Sequence, residues 1–296
     1  MRRGLGRMLG RARLARAPCS SSPRPAVEPR RGAGSLALYD ATAAPSVDLP
    51  LMASKWLRVQ EDFITREEEK ALALYFHERL CGQQYSEGHW DSVIVSYRET
   101  LMAWEELPAA LRPAVERLAS LFEPGAQVQR KVHAIDLSES HGRIDGHVDS
   151  VKFCGEHVIG LCLLSPAVMR FKRAAPDEVH AGTEERAGYV KVKPQAGDAA
   201  GAAAASATDA PGDMAPGAAT TEWVAAPGTG APGETVDVLL RRRSAYVMYG
   251  VGRFGYEHAV LGGVQRFGPE EVKVRRRRRI SLIVRDEADS ALAPVV

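Results

Sequence analysis

The chain has 296 residues, 45% of them hydrophobic and 26% charged, which suits one large globular domain or two small ones. Its net charge of +2 conceals basic clusters in the first 31 positions and in the run 273–279. No stretch reaches the ~18–20 uninterrupted apolar residues of a spanning helix, and Cys19, Cys81, Cys154 and Cys162 form no CxxC pair, which argues against a membrane enzyme, structural zinc and a disulfide framework.

The leader carries Arg2, Arg3, Arg7, Arg11, Arg13, Arg16 and Arg24 with no acidic residue before Glu28. Leu5, Met8 and Leu14 interleave with these arginines, so a nascent helix would set an apolar stripe beside a cationic face; Ser20, Ser21 and Ser22 follow. This is transit-peptide composition, and residues 1–45 are read as a transit peptide and linker addressing the chain to the mitochondrial matrix. Chloroplast import and a disordered basic tail that binds acidic surfaces share the same composition.

From about Leu51 the pattern becomes globular. Thr65-Arg66-Glu67-Glu68 is a capping box, in which hydroxyl and carboxylate satisfy N–H groups left over by a first helical turn, and Leu72, Tyr75, Phe76 and Leu80 follow at helical spacing. A second helix carries Leu111, Val115, Leu118 and Phe122 and stops at Glu123-Pro124-Gly125. After Gln127 the period shortens, and 128–137, 147–153, 158–164 and 168–172 read as β-strands separated by Gly, Ser and Pro. Residues 174–233 hold an alanine-rich tract and repeated Ala-Pro-Gly units with few large apolar side chains. They read as a low-complexity insertion in a surface loop, anchored at one end by Trp223, and such an insertion is tolerated because loop-closure entropy grows only logarithmically with length. Strands resume at 235–240, 245–249 and 280–284, so a single interrupted domain is expected over 51–286, followed by a flexible tail at 287–296.

In a strand, alternate side chains share a face, so His147-Val148-Asp149 would present an imidazole and a carboxylate together. A non-haem iron centre of the two-His-one-carboxylate type needs one more histidine and leaves neighbouring positions open; His258 is the candidate. A lone strand histidine is otherwise an ordinary packed or hydrogen-bonded residue. Downstream, residues 279–285 alternate, with Ile280, Leu282 and Val284 on one face and Arg279, Ser281 and Arg285 on the other. Arginines turned inward require anions, because an unpaired buried charge is costly. A planar guanidinium grips a carboxylate through two parallel hydrogen bonds, so a dicarboxylate would serve. The competing reading is an edge strand with a wet polar face.

HxD, a distal His and R-x5-R together resemble the AlkB branch of the 2-oxoglutarate oxygenases. One register fits, since within the run 275–279 only Arg279 has another arginine, Arg285, six positions later. Within that branch the chain is similar to a mitochondrial subfamily over about 51–286, on the blocks His89-Trp90-Asp91, Tyr97-Arg98-Glu99-Thr100, His147-Val148-Asp149-Ser150-Val151-Lys152-Phe153-Cys154-Gly155 and Leu163-Leu164-Ser165-Pro166. The resemblance implies an α+β, mainly β fold: a double-stranded β-helix (jelly-roll, cupin-like) core with supporting N-terminal helices. It implies Fe(II) held by His147, Asp149 and His258, O2 as oxidant, and 2-oxoglutarate contacted by Tyr246, Arg279, Ile280, Ser281 and Arg285. Tyr246 would present a phenol to a carboxylate or serve as a core aromatic. One departure stands out: the AlkB branch carries Asn and Tyr shortly before HxD, where this chain has Asp136 and Ser138, and an aspartate cannot donate as Asn does.

The activity implied is oxidation of a C–H bond with release of succinate and CO2, and on an N-methyl group the product would shed formaldehyde. Two substrate classes follow. One is methylated bases of mitochondrial RNA, with the basic run 273–279 attracting phosphates. The other is a matrix polypeptide, which the subfamily connects with fatty-acid metabolism or programmed necrosis. Flipped bases need an aromatic clamp, and only scattered candidates such as Trp90, Tyr97 and Trp104 precede HxD. No DNA partner is expected. A third class, a non-catalytic module that keeps the fold and binds RNA or acidic partners, fits poorly with retention of every ligand.

Overall fold

The computed structural model describes residues 35–88, 93–192 and 222–288. The arginine-rich leader, Trp90, the centre of the expected insertion at 193–221 and the tail from 289 lie outside the described residues. In chain order the strands are β1 (Tyr39–Asp40), β2 (Leu57–Gln60), β3 (Ile94–Val95), β4 (Tyr97–Ala103), β5 (Lys131–Leu137), β6 (Arg143–His147), β7 (His157–Leu163) and β8 (Ala167–Arg173). They continue as β9 (Tyr189–Val192), β10 (Glu222–Ala225), β11 (Thr235–Leu240), β12 (Ala245–Tyr249), β13 (Tyr256–Val260), β14 (Val264–Phe267), β15 (Val272–Arg275) and β16 (Arg279–Arg285). Two six-stranded sheets form, a major one in the order β2-β12-β7-β16-β5-β4 and a minor one in the order β1-β11-β8-β13-β6-β3. From β5 to β8 and again from β11 to β13 the chain steps from one sheet to the other, and this alternation winds the double-stranded β-helix. The hairpins β9·β10 and β14·β15 stand apart from both sheets.

Strand alternation divides the interior into two apolar layers. On the outer side of the major sheet, Ile280, Leu282 and Val284 of β16 join Ile159, Leu161 and Leu163 of β7 and Val132 and Ala134 of β5. Leu72, Phe76 and Leu80 of the helix Arg66–Leu80 and Val115 and Leu118 of the helix Arg112–Ala119 cover them. Each fully buried Leu, Ile or Phe stabilises this layer by ~1.5–3 kcal/mol. The first helix begins where the capping box requires: Glu68 N donates to Thr65 Oγ1 (3.1 Å) and Thr65 N to Glu68 Oε2 (2.8 Å). Between the sheets, Ile135, Val158, Tyr246 and Ile283 face Met169, Phe171, Tyr256 and Val260.

Four sequence readings need correction. The end of the expected 1–45 leader and linker is part of the domain, since β1 pairs with β11 and Leu38, Tyr39 and Ala44 are buried in the core between the sheets. β16 lies in the middle of the major sheet, bonded to β7 and β5, so its polar face is not a wet edge. The segment 147–153 is not a strand: β6 ends at His147, and Ser150 turns the chain, its Oγ accepting from Lys152 N (3.2 Å) and its carbonyl from Phe153 N (3.4 Å). The flanks of the expected insertion are ordered. β9 and β10 pair from Glu222 opposite Val192 to Ala225 opposite Tyr189, and Tyr189 is buried with Val179, Ala187 and Phe254. The few large side chains in those flanks are what hold them, since Arg173 lies over the Tyr189 ring at 4.2 Å and Lys191 over Trp223 at 4.8 Å.

Candidate metal and co-substrate site

His147 and His258 end up side by side because β6 and β13 pair with these two residues opposite one another. The register slips between His258 and Val260, an irregularity of the sort that re-aims side chains at functional sites. The imidazole centroids lie 4.3 Å apart. Asp149, just beyond the end of β6, closes the group: His147 Nε2 is 3.3 Å from its Oδ1 and His258 Nε2 is 3.9 Å from its Oδ2. Ligand atoms of all three residues fall within 4.8 Å of one another. Convergence therefore holds although the strand geometry expected for it does not.

The chemistry of the donors suits a cation. His147 Nδ1 lies 3.0 Å from the Asp145 carbonyl, a partner that orients the ring, and its Nε2 faces Asp149. Burial, and then the neighbouring His147, push the His258 imidazole down to about 3. Burial would raise the Asp149 carboxyl, but His258 and a hydrogen bond from His147 outweigh it and hold the group well below the usual carboxylate range. Two imidazoles and an ionised carboxylate are the donor set of a non-haem Fe(II) centre.

The triad opens on a cavity of about 880 Å³ between the sheets. Arg279, Ser281 and Arg285 of β16 and Tyr246 of β12 line it, as expected. Arg279 and Ser281 are each 1% exposed. Arg279 Nη2 donates to Cys162 Sγ (3.0 Å), but Arg279 Nε and Ser281 Oγ have no protein partner. Buried donors left unmade are costly, and a guanidinium beside a hydroxyl selects a carboxylate. Burial, partly offset by Arg279, raises the Tyr246 phenol to about 12, so it remains a hydrogen-bond donor. The site thus fits 2-oxoglutarate. Ile280 is the exception among the expected contacts, because alternation along β16 turns its side chain into the outer layer, away from the cavity.

Asp136 lies nowhere near a co-substrate. It is fully buried on the outer side of β5, bound by Arg98 Nε (2.8 Å) and Arg278 Nη2 (2.7 Å). Ser138 is 2.8 Å from Ser96 Oγ. The basic run is likewise dispersed: Arg275 pairs with Glu139, Arg276 is buried and donates to the Ser138 and Gly142 carbonyls, and Arg278 holds Asp136. Lys273 and Arg277 remain exposed. Sequence reasoning missed four cavity residues or supports. Glu99 Oε2 lies 2.6 Å from His133 Nε2, and His133 Nδ1 lies 3.4 Å from Arg285 Nη1, a row along the cavity wall. Gly160 and Cys162 support the floor beside Tyr246 and Arg279. The alternation of small Gly160 and Cys162 with large Ile159, Leu161 and Leu163 was the available signal.

No protein-family model matches the chain. It is 30% identical over 228 residues to the alpha-ketoglutarate-dependent dioxygenase alkB homolog 7, mitochondrial, of Bos taurus, covering 77% of this chain and 76% of that protein. The protein of the same name from Mus musculus is 29% identical over the same shares. Among solved structures, OsALKBH1 overlays with a TM-score of 0.42 at 11% identity, covering 78% of this chain and 98% of that one. A Pseudomonas putida prolyl-4-hydroxylase gives 0.40 at 12%, covering 84% of this chain and 100% of that one.

Proposed function

Because the chain belongs to the AlkB family of Fe(II)- and 2-oxoglutarate-dependent dioxygenases, we propose that His147, Asp149 and His258 hold its iron and that Arg279, Ser281, Tyr246 and Arg285 hold its co-substrate. When bound, iron, 2-oxoglutarate and O2 together supply an oxidant for a substrate C–H bond, with succinate and CO2 as co-products. The chain's own contribution is positional. Arg279 and Ser281 receive a carboxylate on donors that have no other partner, and Tyr246 adds a phenolic donor. Met169, Val158 and Ile283 line the same cavity with apolar surface. One observation carries the reading: a cluster of two imidazoles and a carboxylate opens on the same cavity as a buried, under-partnered guanidinium.

For the substrate we favour a polypeptide. Leu101 and Phe153 are 60% and 61% exposed, and both border the cavity, an apolar rim suited to a side chain. Of the arginine run that would attract phosphates, Arg276 and Arg279 are buried and Arg278 holds the buried Asp136, which leaves Arg275 and Arg277 at the surface. N-demethylation of a methylated base in mitochondrial RNA is the second reading, favoured by exposed Lys131 and Lys152 on the same cavity. The protein is mitochondrial, as its relatives are named. The naming of those relatives, and not the leader composition, favours mitochondrial over chloroplast import.

The oxygenase reading is tested by conversion of 2-oxoglutarate to succinate, expected in the wild type and lost in His147→Ala; equal rates would remove the triad from the mechanism. Substrate class is tested by mass spectrometry of mitochondrial tRNA and of matrix peptides with and without enzyme. Oxidised peptides with unchanged methylated bases support the polypeptide reading, and the converse supports RNA.

A further inference from the structure

We propose that Cys162 is the positioning residue for Arg279, a thiol that aims the co-substrate-binding guanidinium while leaving its charge available. The inference rests on the oxygenase reading and concerns how its anion site is built.

Cys162 is fully buried and stands opposite Ser281 in the β7·β16 register, facing the cavity side of the major sheet. Arg279 Nη2 reaches its Sγ at 3.0 Å, the Tyr246 phenol is the guanidinium's other side-chain partner, and its Nε has no protein partner. The residue type at this position decides what Arg279 does. An aspartate would form an internal ion pair and neutralise the cation before any ligand arrived. An aliphatic side chain would leave still more N–H groups unsatisfied in a buried site. A thiol is a weak acceptor. It fixes one arm of the fork and leaves the cation uncompensated, so the carboxylate of 2-oxoglutarate meets a guanidinium already oriented and bears less of the ordering cost.

Gly160, two positions earlier on the same face of β7, does the matching task for the phenol. It is paired with Tyr246, and a Cβ there would lie 2.3 Å from the ring carbons. One strand therefore sets both donors, by leaving room under one and giving the other a soft anchor.

The test is calorimetric titration of 2-oxoglutarate into the Mn(II)-loaded full-length protein under argon, where binding is read without turnover. Wild type, Cys162→Ala and Cys162→Ser are compared, with steady-state kinetics of the iron-loaded enzymes alongside. Loss of one charge-assisted hydrogen bond to a weak acceptor predicts that Kd and KM for 2-oxoglutarate rise ~10-fold in Cys162→Ala, with kcat falling much less. Serine, which restores an acceptor, brings both back to within ~2-fold of wild type. Unchanged Kd in Cys162→Ala overturns the proposal. So does equal weakening in Ala and Ser, which would make Cys162 a packing residue only. Melting temperature without ligand verifies that each variant is folded. Absence of 2-oxoglutarate binding by the wild type would overturn the oxygenase reading and this inference with it, and is distinguishable from a failure confined to Cys162.

Discussion

Arg278 and Arg279 are consecutive in the chain and emerge on opposite sides of the major sheet. On the outer side, Arg278 meets the buried carboxylate of Asp136, which Arg98 also binds, so both guanidinium groups there have an anionic partner. On the inner side, Arg279 finds a thiol and a phenol, and its charge is left for something else. A pair of imidazole and carboxylate groups repeats the contrast. His157 Nδ1 lies 2.8 Å from Asp286 Oδ2, whose other oxygen accepts from His157 N (2.9 Å), a closed arrangement tying β7 to the residue after β16. His147, His258 and Asp149 instead aim lone pairs at a shared point beside a cavity. What marks the site in these two pairs is not residue type but that its under-partnered groups face one cavity, whereas His157 Nε2 and Arg276 Nε are unpartnered within the packed scaffold.

The outer side should therefore respond through stability and the inner side through binding. Asp136→Ala gives the largest effect: it strands two guanidinium groups, one of them almost wholly buried, and breaking a buried pair costs ~3–5 kcal/mol. Urea unfolding should show that loss while KM for 2-oxoglutarate stays near wild type; a raised KM at unchanged stability would break the comparison. Arg279→Ala should do the reverse. Co-substrate affinity should fall at least ~100-fold, or ~3 kcal/mol, in the same calorimetric titration, while ligand-free stability holds or rises because an uncompensated buried cation has been removed. Gly160→Ala comes next. Its Cβ must push the Tyr246 ring aside, and overpacking of this kind costs ~1–3 kcal/mol. The displaced phenol should raise KM for 2-oxoglutarate several-fold, matched by Tyr246→Phe. If Gly160→Ala binds as wild type does, the ring has room that the geometry denies it.

How much of this was legible in the sequence follows from the same contrast. Strand alternation alone separates Ile280, Leu282 and Val284 from Arg279, Ser281 and Arg285, and the capping box marks the start of the first helix, because both signals are local. His258 was a candidate from the need for a third ligand, but its strand was not read, since β13 is short, opens after Gly255 and carries Glu257 and His258 in place of a clear apolar run. Asp149 does meet the two histidines, but not by strand alternation, as it lies past the end of β6 and not on it. The arginine run misleads because composition reports charge and not partners: Asp136 and Glu139, which engage Arg278 and Arg275, lie far away in the chain. Cys162 was weighed only for CxxC spacing, a pattern that does not report a thiol facing an arginine across a strand pair.

The smallest effect tests whether burial sets the scale on the outer side. Glu68 accepts from the Thr65 N–H and from Arg117 Nη2 (2.8 Å), yet its side chain is 31% exposed where that of Asp136 is fully buried. Partial burial would raise its carboxyl, but the Thr65 N–H and the Arg117 guanidinium outweigh it and hold the group below its ordinary value. A carboxyl with a depressed folded-state pKa contributes stability that is complete above its unfolded pKa of ~4.3 and is lost as pH falls through the folded value. Glu68→Gln should therefore cost ~0.5–1 kcal/mol at neutral pH, the range of a cap and an exposed ion pair. That difference from wild type should shrink below pH ~4 as the native carboxyl protonates. Urea unfolding of both proteins across that interval measures it. A loss at pH 7 as large as that of Asp136→Ala would mean that the hydrogen-bond count, and not burial, ranks the outer charges.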